Sequence, residues 1–453
     1  MVVYIRISVS MNLFTLSWKN ITAKPLNSTM SVLLFALSVG LITFLVLLNH
    51  QLKKGLDNNL AGIDLVLGAK GSPLQLILNS MYHIDAPTGN ISLEEASPFL
   101  NPKHPLISSA VPLSLGDSYG AFRIAGAPQN LLILYGADEI EGAIYREDFD
   151  VVVGSSVAKR LHLHIGDSFY STHGLEDNPD LAHDHGAPFH ITGILSQTGT
   201  VLDQLILCTP QTVWKVHEHE DSVSDDEGDH EGHDHDTDNH EHTSLPVTAI
   251  DSAEVQMLSA AIIDTLRKQP EKEITSVLMK FRNRTNFQAL NLLRNINMNT
   301  GLMAASPALE INRLYAMMGS GTEALRYVAM LIAIVAAISI FISLYTSLKE
   351  RKYEMALMRV SGAGPGDLFR MILGEGMWIT ILGLVTGILA GHVGMHLAGS
   401  ILERGYKYQF TGMIWVEVEW LIISGGMIVG LMAAFIPAIQ GAKIDLHKTL
   451  AEG

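Results

Sequence analysis

Four long apolar runs constrain this 453-residue chain more than any other feature. Ser31 to Asn49 reads SVLLFALSVGLITFLVLLN, carries no charge and is long enough to cross a bilayer as a helix. Tyr327 to Leu348 and Trp420 to Ala442 are likewise uncharged, and Met371 to Leu402 carries only Glu375 near its start and His392 and His396 near its end. The first run exceeds the roughly 7–15 apolar residues of a secretory leader and is followed by no small-x-small cleavage site, so it is expected to be an uncleaved anchor. With 48% apolar residues and a mean hydropathy of +0.24, the chain is too apolar for an ordinary soluble enzyme. The pattern predicts spanning helices over 28–50, 323–348, 369–402 and 419–440.

Lysine and arginine orient these spans. The segment between the second and third holds Lys349, Arg351, Lys352, Arg359 and Arg370, the densest cationic loop, which the positive-inside rule places in the cytoplasm. Lys19 and Lys24 before the first span, and Lys443 and Lys448 after the last, fit the same side. Lys53 and Lys54 fall on the other side, where a long translocated domain weakens the rule. The expected layout is a cytoplasmic N-terminus over 1–27, one large extracytoplasmic domain over 51–322, a cytoplasmic segment over 349–368, a short outer loop over 403–418 and a cytoplasmic tail over 441–453.

The large domain reads as α+β. Strands are expected at Ile63 to Leu67, Val151 to Val153, after Gly166, and at Thr275 to Phe281. Helices are expected through LQLILNSMYH, Ser155 to Leu161, Ala253 to Arg267 and Asn286 to Ile296. Two mixed subdomains are predicted, with an insert over 216–246 near their junction that is expected to be disordered.

Inside that insert, His217 to His242 packs seven histidines and twelve carboxylates into one stretch without a lysine or arginine, which accounts for most of the net charge of −16. Its only apolar side chain is Val223, so it predicts a solvated loop rather than core. Neutral imidazoles among carboxylates suit zinc, nickel or copper, which makes His217, His219, His230, His233, His235, His240 and His242 candidate ligands. His183, His185 and His190 form a candidate second cluster, and His392 and His396 have the i, i+4 spacing of two ligands on one helix face. So acidic a loop argues against nucleic acid as a partner. Cys208 is alone, which excludes an intramolecular disulfide.

The stretch SLKERKYEMALMRVSGAGPGDLFRMILGEG, with Glu350, Arg351, Glu354, Ala356, Leu357, Arg359, Gly362, Ala363 and Glu375, resembles the signature of MacB/FtsX/LolC-type ABC transporter permeases. VVVGSSVAKRLHLHIGDSF and ITGILSQTGTVLDQLIL look like that family's periplasmic core. MNLFTLSWKNI looks like its opening amphipathic helix, with Met11, Phe14, Trp18 and Ile21 on one face, so residues 1–10 are expected to be an upstream-start artefact. IPAIQGAKIDLHKTL is similar to its C-terminal tail, although Leu446 stands where proline is common. The resemblance implies four spans around a large periplasmic domain in a bacterial inner membrane, a second permease copy, and a cytosolic ATPase as partner. Nothing in the chain resembles G-x-x-x-x-G-K-[ST], so ATP is expected on that separate subunit and no enzyme activity here.

On that reading Arg351, Glu354, Ala356, Leu357, Arg359, Gly362 and Ala363 couple the permease to its ATPase. Ala356, Leu357 and Val360 would form an apolar contact stripe flanked by Arg351 and Arg359. Gly383, Gly387 and Gly391 make a GxxxGxxxG face for close helix packing, within the chain or across a dimer. Glu375, costly against lipid, is expected to face protein. Three functions stay open: a permease moving or extracting a lipid-attached, peptide or amphipathic envelope substrate; a zinc-linked system with a periplasmic metal-binding protein or adaptor; and a mechanotransmitter acting on an envelope hydrolase. The size of the outer domain disfavours the third.

Overall fold

The computed structural model describes residues 13–23, 25–172, 187–223, 246–406 and 410–443. These form two compact units, one of Met1–Lys53 with Met317–Gly453 and one of Lys54–Ala316.

The Lys54–Ala316 unit is built on a mixed sheet. In chain order its strands are β1 (Leu65–Ala69), β2 (Ile91–Ser92), β3 (Ile107–Tyr119), β4 (Phe122–Gly126), β5 (Glu139–Gly142), β6 (Asp150–Val153) and β7 (Ser168–Phe169). They continue with β8 (Phe189–Leu195), β9 (Leu205–Cys208), β10 (Val247–Ala249), β11 (Glu273–Ile274), β12 (Ser276–Phe281) and β13 (Leu302–Ala305). The main sheet runs β10-β5-β8-β6-β9-β4-β3-β12-β1-β13, with β7 against β8, while β2 and β11 pair separately. Among the described residues only β4 with β9 and β6 with β8 run parallel. Val151, Val152 and Val153 are all fully buried, which is why β6 reads as an unbroken apolar run instead of an alternation.

Where two subdomains were expected, Lys54–Ala316 is one compact unit whose main sheet carries two buried clusters. One gathers Leu65, Leu67, Leu93, Val277, Met279 and Ile296, and the other Phe122, Ile124, Val151, Val157, Phe189 and Cys208. The 13-residue β3 joins them, pairing β12 through Ile107 to Leu113 and β4 through Ser114 to Tyr119. The helix Pro210–Val223 continues into the expected disordered insert, so residues 216–223 are helical and not loop. A rise of about 1.5 Å per residue lets His217 and His219 ride on that helix backbone.

Among the described residues four helices are long and apolar enough to span a membrane: Pro25–Leu60, Glu323–Glu350, Pro365–Gly399 and Val418–Ala442. The chain is a four-span membrane protein with its large mixed domain between spans one and two. Span one packs on span three through glycines, since a Cβ added at Gly383 would lie 2.7 Å from Phe35 and one at Gly387 would lie 2.8 Å from the Ala36 carbonyl. A Cβ added at Gly391 would lie 2.9 Å from the Gly40 carbonyl, and one added at Gly40 would lie 3.0 Å from the Gly387 carbonyl. The GxxxGxxxG face is therefore occupied within the chain, by span one. Span four closes on span three the same way, with Gly430 seated on Thr380 and Gly376 on Ala434. Phe35, Val39, Ala336, Ile340, Ile379, Leu384 and Ala434 form the bundle core. Val385, Leu389, Val393 and Leu397 face outward at helical spacing, as lipid contact requires.

Candidate coupling site

The link between spans two and three begins where the second helix ends at Glu350. A short helix, Lys352–Val360, follows and stops at Ser361, and Gly362 then turns the chain with φ +106, a region that costs glycine nothing and a side chain a good deal. Gly362 N–H and Ala363 N–H donate to the carbonyls of Arg359 and Met358 at 3.1 and 3.0 Å, closing the helix end. The Asp367 carboxylate accepts the Gly364 N–H at 2.9 Å, and Pro365 opens the third span.

This short helix has two faces. Met355 is buried against Leu348, Leu368, Met371, Ile372 and Ala438, and Ala356 is fully buried beside it. Tyr353, Leu357 and Val360 are exposed by 52%, 53% and 61%, an i, i+4, i+7 stripe that none of the described residues covers. The expected stripe of Ala356, Leu357 and Val360 is thus corrected: Ala356 points into the bundle, and Tyr353 takes its place outside. Glu354 is exposed and Arg359 half-buried.

Arg351 does not flank the stripe either. Its side chain is 16% exposed and turns inward, donating from Nη1 to Glu375 Oε1 at 3.3 Å, from Nη2 to Asn20 Oδ1 at 2.7 Å and from Nε to Glu354 at 3.0 Å. Asn20 Nδ2 donates to the same Glu375 oxygen at 2.5 Å. Glu375, as expected, faces protein; its buried charge is met by a guanidinium and an amide, which is what makes its burial tolerable. The amphipathic helix Leu13–Ala23, which supplies Asn20, is fixed by Ser17 Oγ donating to the Met371 carbonyl at 2.9 Å and by Trp18 packed edge-on to Trp378, ring centres 4.9 Å apart. Three segments far apart in sequence meet here, so the short helix is held to the bundle by its inner face while its outer face is left uncovered by the described residues.

Asn20 was invisible to sequence reasoning, because a polar residue on an amphipathic helix looks solvated when no second element is known to lie beside it. Met11 and the tail from 444 onward lie outside the described residues.

Of the metal candidates, His183, His185, His230, His233, His235, His240 and His242 lie outside the described residues. His190 is exposed on β8 with Nδ1 2.8 Å from Ser168 Oγ. Among the described residues no group of three or more histidines, cysteines and carboxylates is placed to hold a metal ion. His392 and His396 do not act as a ligand pair: both ring nitrogens of His392 are engaged, Nδ1 with the Gly412 carbonyl at 2.6 Å and Nε2 with Glu419 Oε2 at 2.9 Å.

Residues 327–446 match the FtsX-like permease C-terminal family. The chain is 27% identical over 139 residues to the macrolide export ATP-binding/permease protein MacB 1/2 of Paracoccus denitrificans, covering 29% of this chain and 20% of that protein. It is 30% identical over 127 residues to an uncharacterized ABC transporter permease of Methanocaldococcus jannaschii, covering 27% of this chain and 31% of the other. It is 29% identical over 137 residues to the ABC transporter permease YtrF of Bacillus subtilis, again 27% of this chain and 31% of the other. The chain therefore spans less than a third of the length of each of these relatives.

Proposed function

Since this chain is an ABC transporter permease of the MacB/FtsX type, we propose that it works as a permease subunit driven by a separate cytosolic ATPase. The short helix Lys352–Val360 is its docking element. One observation carries this reading: the helix is anchored on its inner face by Met355, Ala356 and the Arg351–Glu375–Asn20 cluster, and bare on its outer face at Tyr353, Leu357 and Val360. A rigid apolar stripe ringed by charge is what a cleft on a motor protein can grip, and gripping it moves the bundle with it. In this reading residues 349–368 face the cytosol, the Lys54–Ala316 unit faces the envelope, and its rearrangement moves or extracts an envelope substrate there. A second permease copy completes the transporter and, with the GxxxGxxxG face already filled, meets it through other surfaces.

A metal as the substrate class is favoured by one feature alone, the seven histidines of His217 to His242. A zinc-linked system working with an envelope metal-binding protein is the second reading.

The test is ATP hydrolysis by the partner ATPase in lipid nanodiscs with wild-type permease and with a Leu357→Ser, Arg359→Ala variant. The expected result is a loss of permease-stimulated hydrolysis of about tenfold, or about 1.4 kcal/mol, with the variant still monodisperse and thermally as stable as wild type. Full stimulation by a folded variant removes the docking role from this helix.

A further inference from the structure

At the end of span three away from the coupling helix, residues 410–417 fold back over the bundle. Val416, with Leu47 and Met395, forms a small buried core there, packed around by Phe44, Phe410 and Ile414. Two polar clasps hold the loop. In the first, Gln51 on span one donates to the Thr411 carbonyl at 3.0 Å and accepts the Thr411 N–H at 2.8 Å. The second is His392 on span three, between the Gly412 carbonyl at 2.6 Å and the Glu419 carboxylate at 2.9 Å. Glu419 is fully buried, and its other oxygen accepts the Val416 N–H at 2.9 Å. Trp415 lies flat on the imidazole, rings 5.8 Å apart and 11° from parallel. Gly412 is seated so closely that a Cβ there would strike the His392 carbonyl.

Both neighbours of the His392 ring are acceptors. A carbonyl oxygen and a carboxylate oxygen each need a hydrogen between themselves and the ring nitrogen. Neutral imidazole brings one, so the assembled clasp holds one proton more, either as imidazolium facing carboxylate or as imidazole facing carboxylic acid. Whichever nitrogen then lacks its hydrogen, one link is lost, and a buried carboxylate or carbonyl faces a lone pair, an arrangement that burial makes costly. The Gln51–Thr411 clasp is built of amides and needs no such proton.

We propose that His392 and Glu419 form a proton-binding site whose single exchangeable proton fastens the 410–417 loop to span three. The step is simple acid dissociation: His392–H⁺ with Glu419⁻ gives neutral His392 with Glu419⁻ and one proton to water. Exchange runs through His392, whose side chain is 17% exposed while that of Glu419 is 0% exposed. Titratable groups near this end of the surrounding elements include His396, one turn along span three, Glu417 before span four, and His50, Lys53 and Lys54 around Gln51, all exposed to solvent. An ionisable pair at the rim of a membrane bundle, satisfied on every polar atom, has the construction of a functional element instead of a packing accident.

The experiment places a nitroxide on Met413→Cys, where the native side chain is 88% exposed, in the full chain in lipid nanodiscs. Cys208 is fully buried and stays unlabelled. As pH rises from about 5 to about 9, spanning the ordinary imidazole range near 6.5, the spectrum of the otherwise native chain is expected to pass from restricted to mobile with the slope of one proton. In Glu419→Gln the amide can donate to His392 and still accept from Val416, so the label should stay restricted throughout. In His392→Leu it should be mobile throughout, and an unchanged thermal midpoint would show the bundle intact. A spectrum that does not change with pH in the native background, a Glu419→Gln chain that keeps the transition, or a His392→Leu label as restricted as the native one at low pH would each overturn the proposal.

Discussion

A histidine that accepts two backbone hydrogen bonds cannot take a second proton without losing them. His104 Nδ1 accepts the Leu106 and Ile107 N–H groups at 3.3 and 3.2 Å, at the entry to β3. Burial pushes its pKa below the ordinary histidine value, because the charged form is poorly solvated there. The folded pKa is the lower one, so the stability this residue provides is complete above the unfolded value near 6.5 and is lost as pH falls through that value to the folded one. Thermal unfolding of the whole chain followed from pH 8 to pH 5 should show the loss. His104→Asn, whose Oδ1 can accept the same bonds and does not titrate, should show less of it. Equal pH dependence in both would assign the effect elsewhere. Residues of this kind escape a reading of sequence alone, since histidine before a strand announces nothing until the strand's free N–H groups are seen to point at it. Glu419 was missed for a related reason: it stands one residue before the fourth apolar run, and nothing local marks it as a hydrogen-bonding group, although the fold buries it completely.

At the scale of elements, glycine decides how close the spans come. Gly387→Leu would put a Cβ 2.8 Å from the Ala36 carbonyl oxygen, and overpacking of this kind costs about 1–3 kcal/mol. Its melting temperature in detergent is expected to fall, whereas Leu389→Ala, on the exposed side of the same helix, should change it little. If both behave alike, spans one and three are not joined at this face. The spans themselves were legible because twenty apolar residues have few other uses. Their ends were not: Pro25–Leu60 and Pro307–Glu350 extend well beyond the apolar runs, and polar residues with good helix propensity leave no mark in hydropathy. The short helix Lys352–Val360 was legible as a charged, helix-prone link, but which of its residues faced in depended on Arg351 finding Glu375 and Asn20, contacts that no local periodicity encodes.

For the whole molecule, the histidine-rich stretch poses the sharpest question. Imidazole must be neutral to bind metal and its unperturbed pKa is about 6.5, so the purified chain should take up several zinc-like ions near pH 7 and release them as pH falls toward 5. Calorimetry on the intact chain and on one lacking residues 217–242 would measure this. Equal uptake by both would take metal away from that stretch, and no uptake at neutral pH would leave it a spacer. Composition could point to metal but not to a site, since donor identity is written in sequence and donor geometry is not.

The pairing of β1 also sets a timetable. That strand sits between β12 and β13, with Leu65 opposite Met279 and Val66 opposite Ala305, so both of its partners are synthesised long after it. While the ribosome works through the intervening chain, an apolar strand waits with two open edges, a form that pairs readily with the wrong neighbour. Biogenesis, more than the finished fold, is then the vulnerable stage. A nascent chain halted before Ser276 should need a chaperone to stay soluble, while one released after Ala305 can close its own sheet.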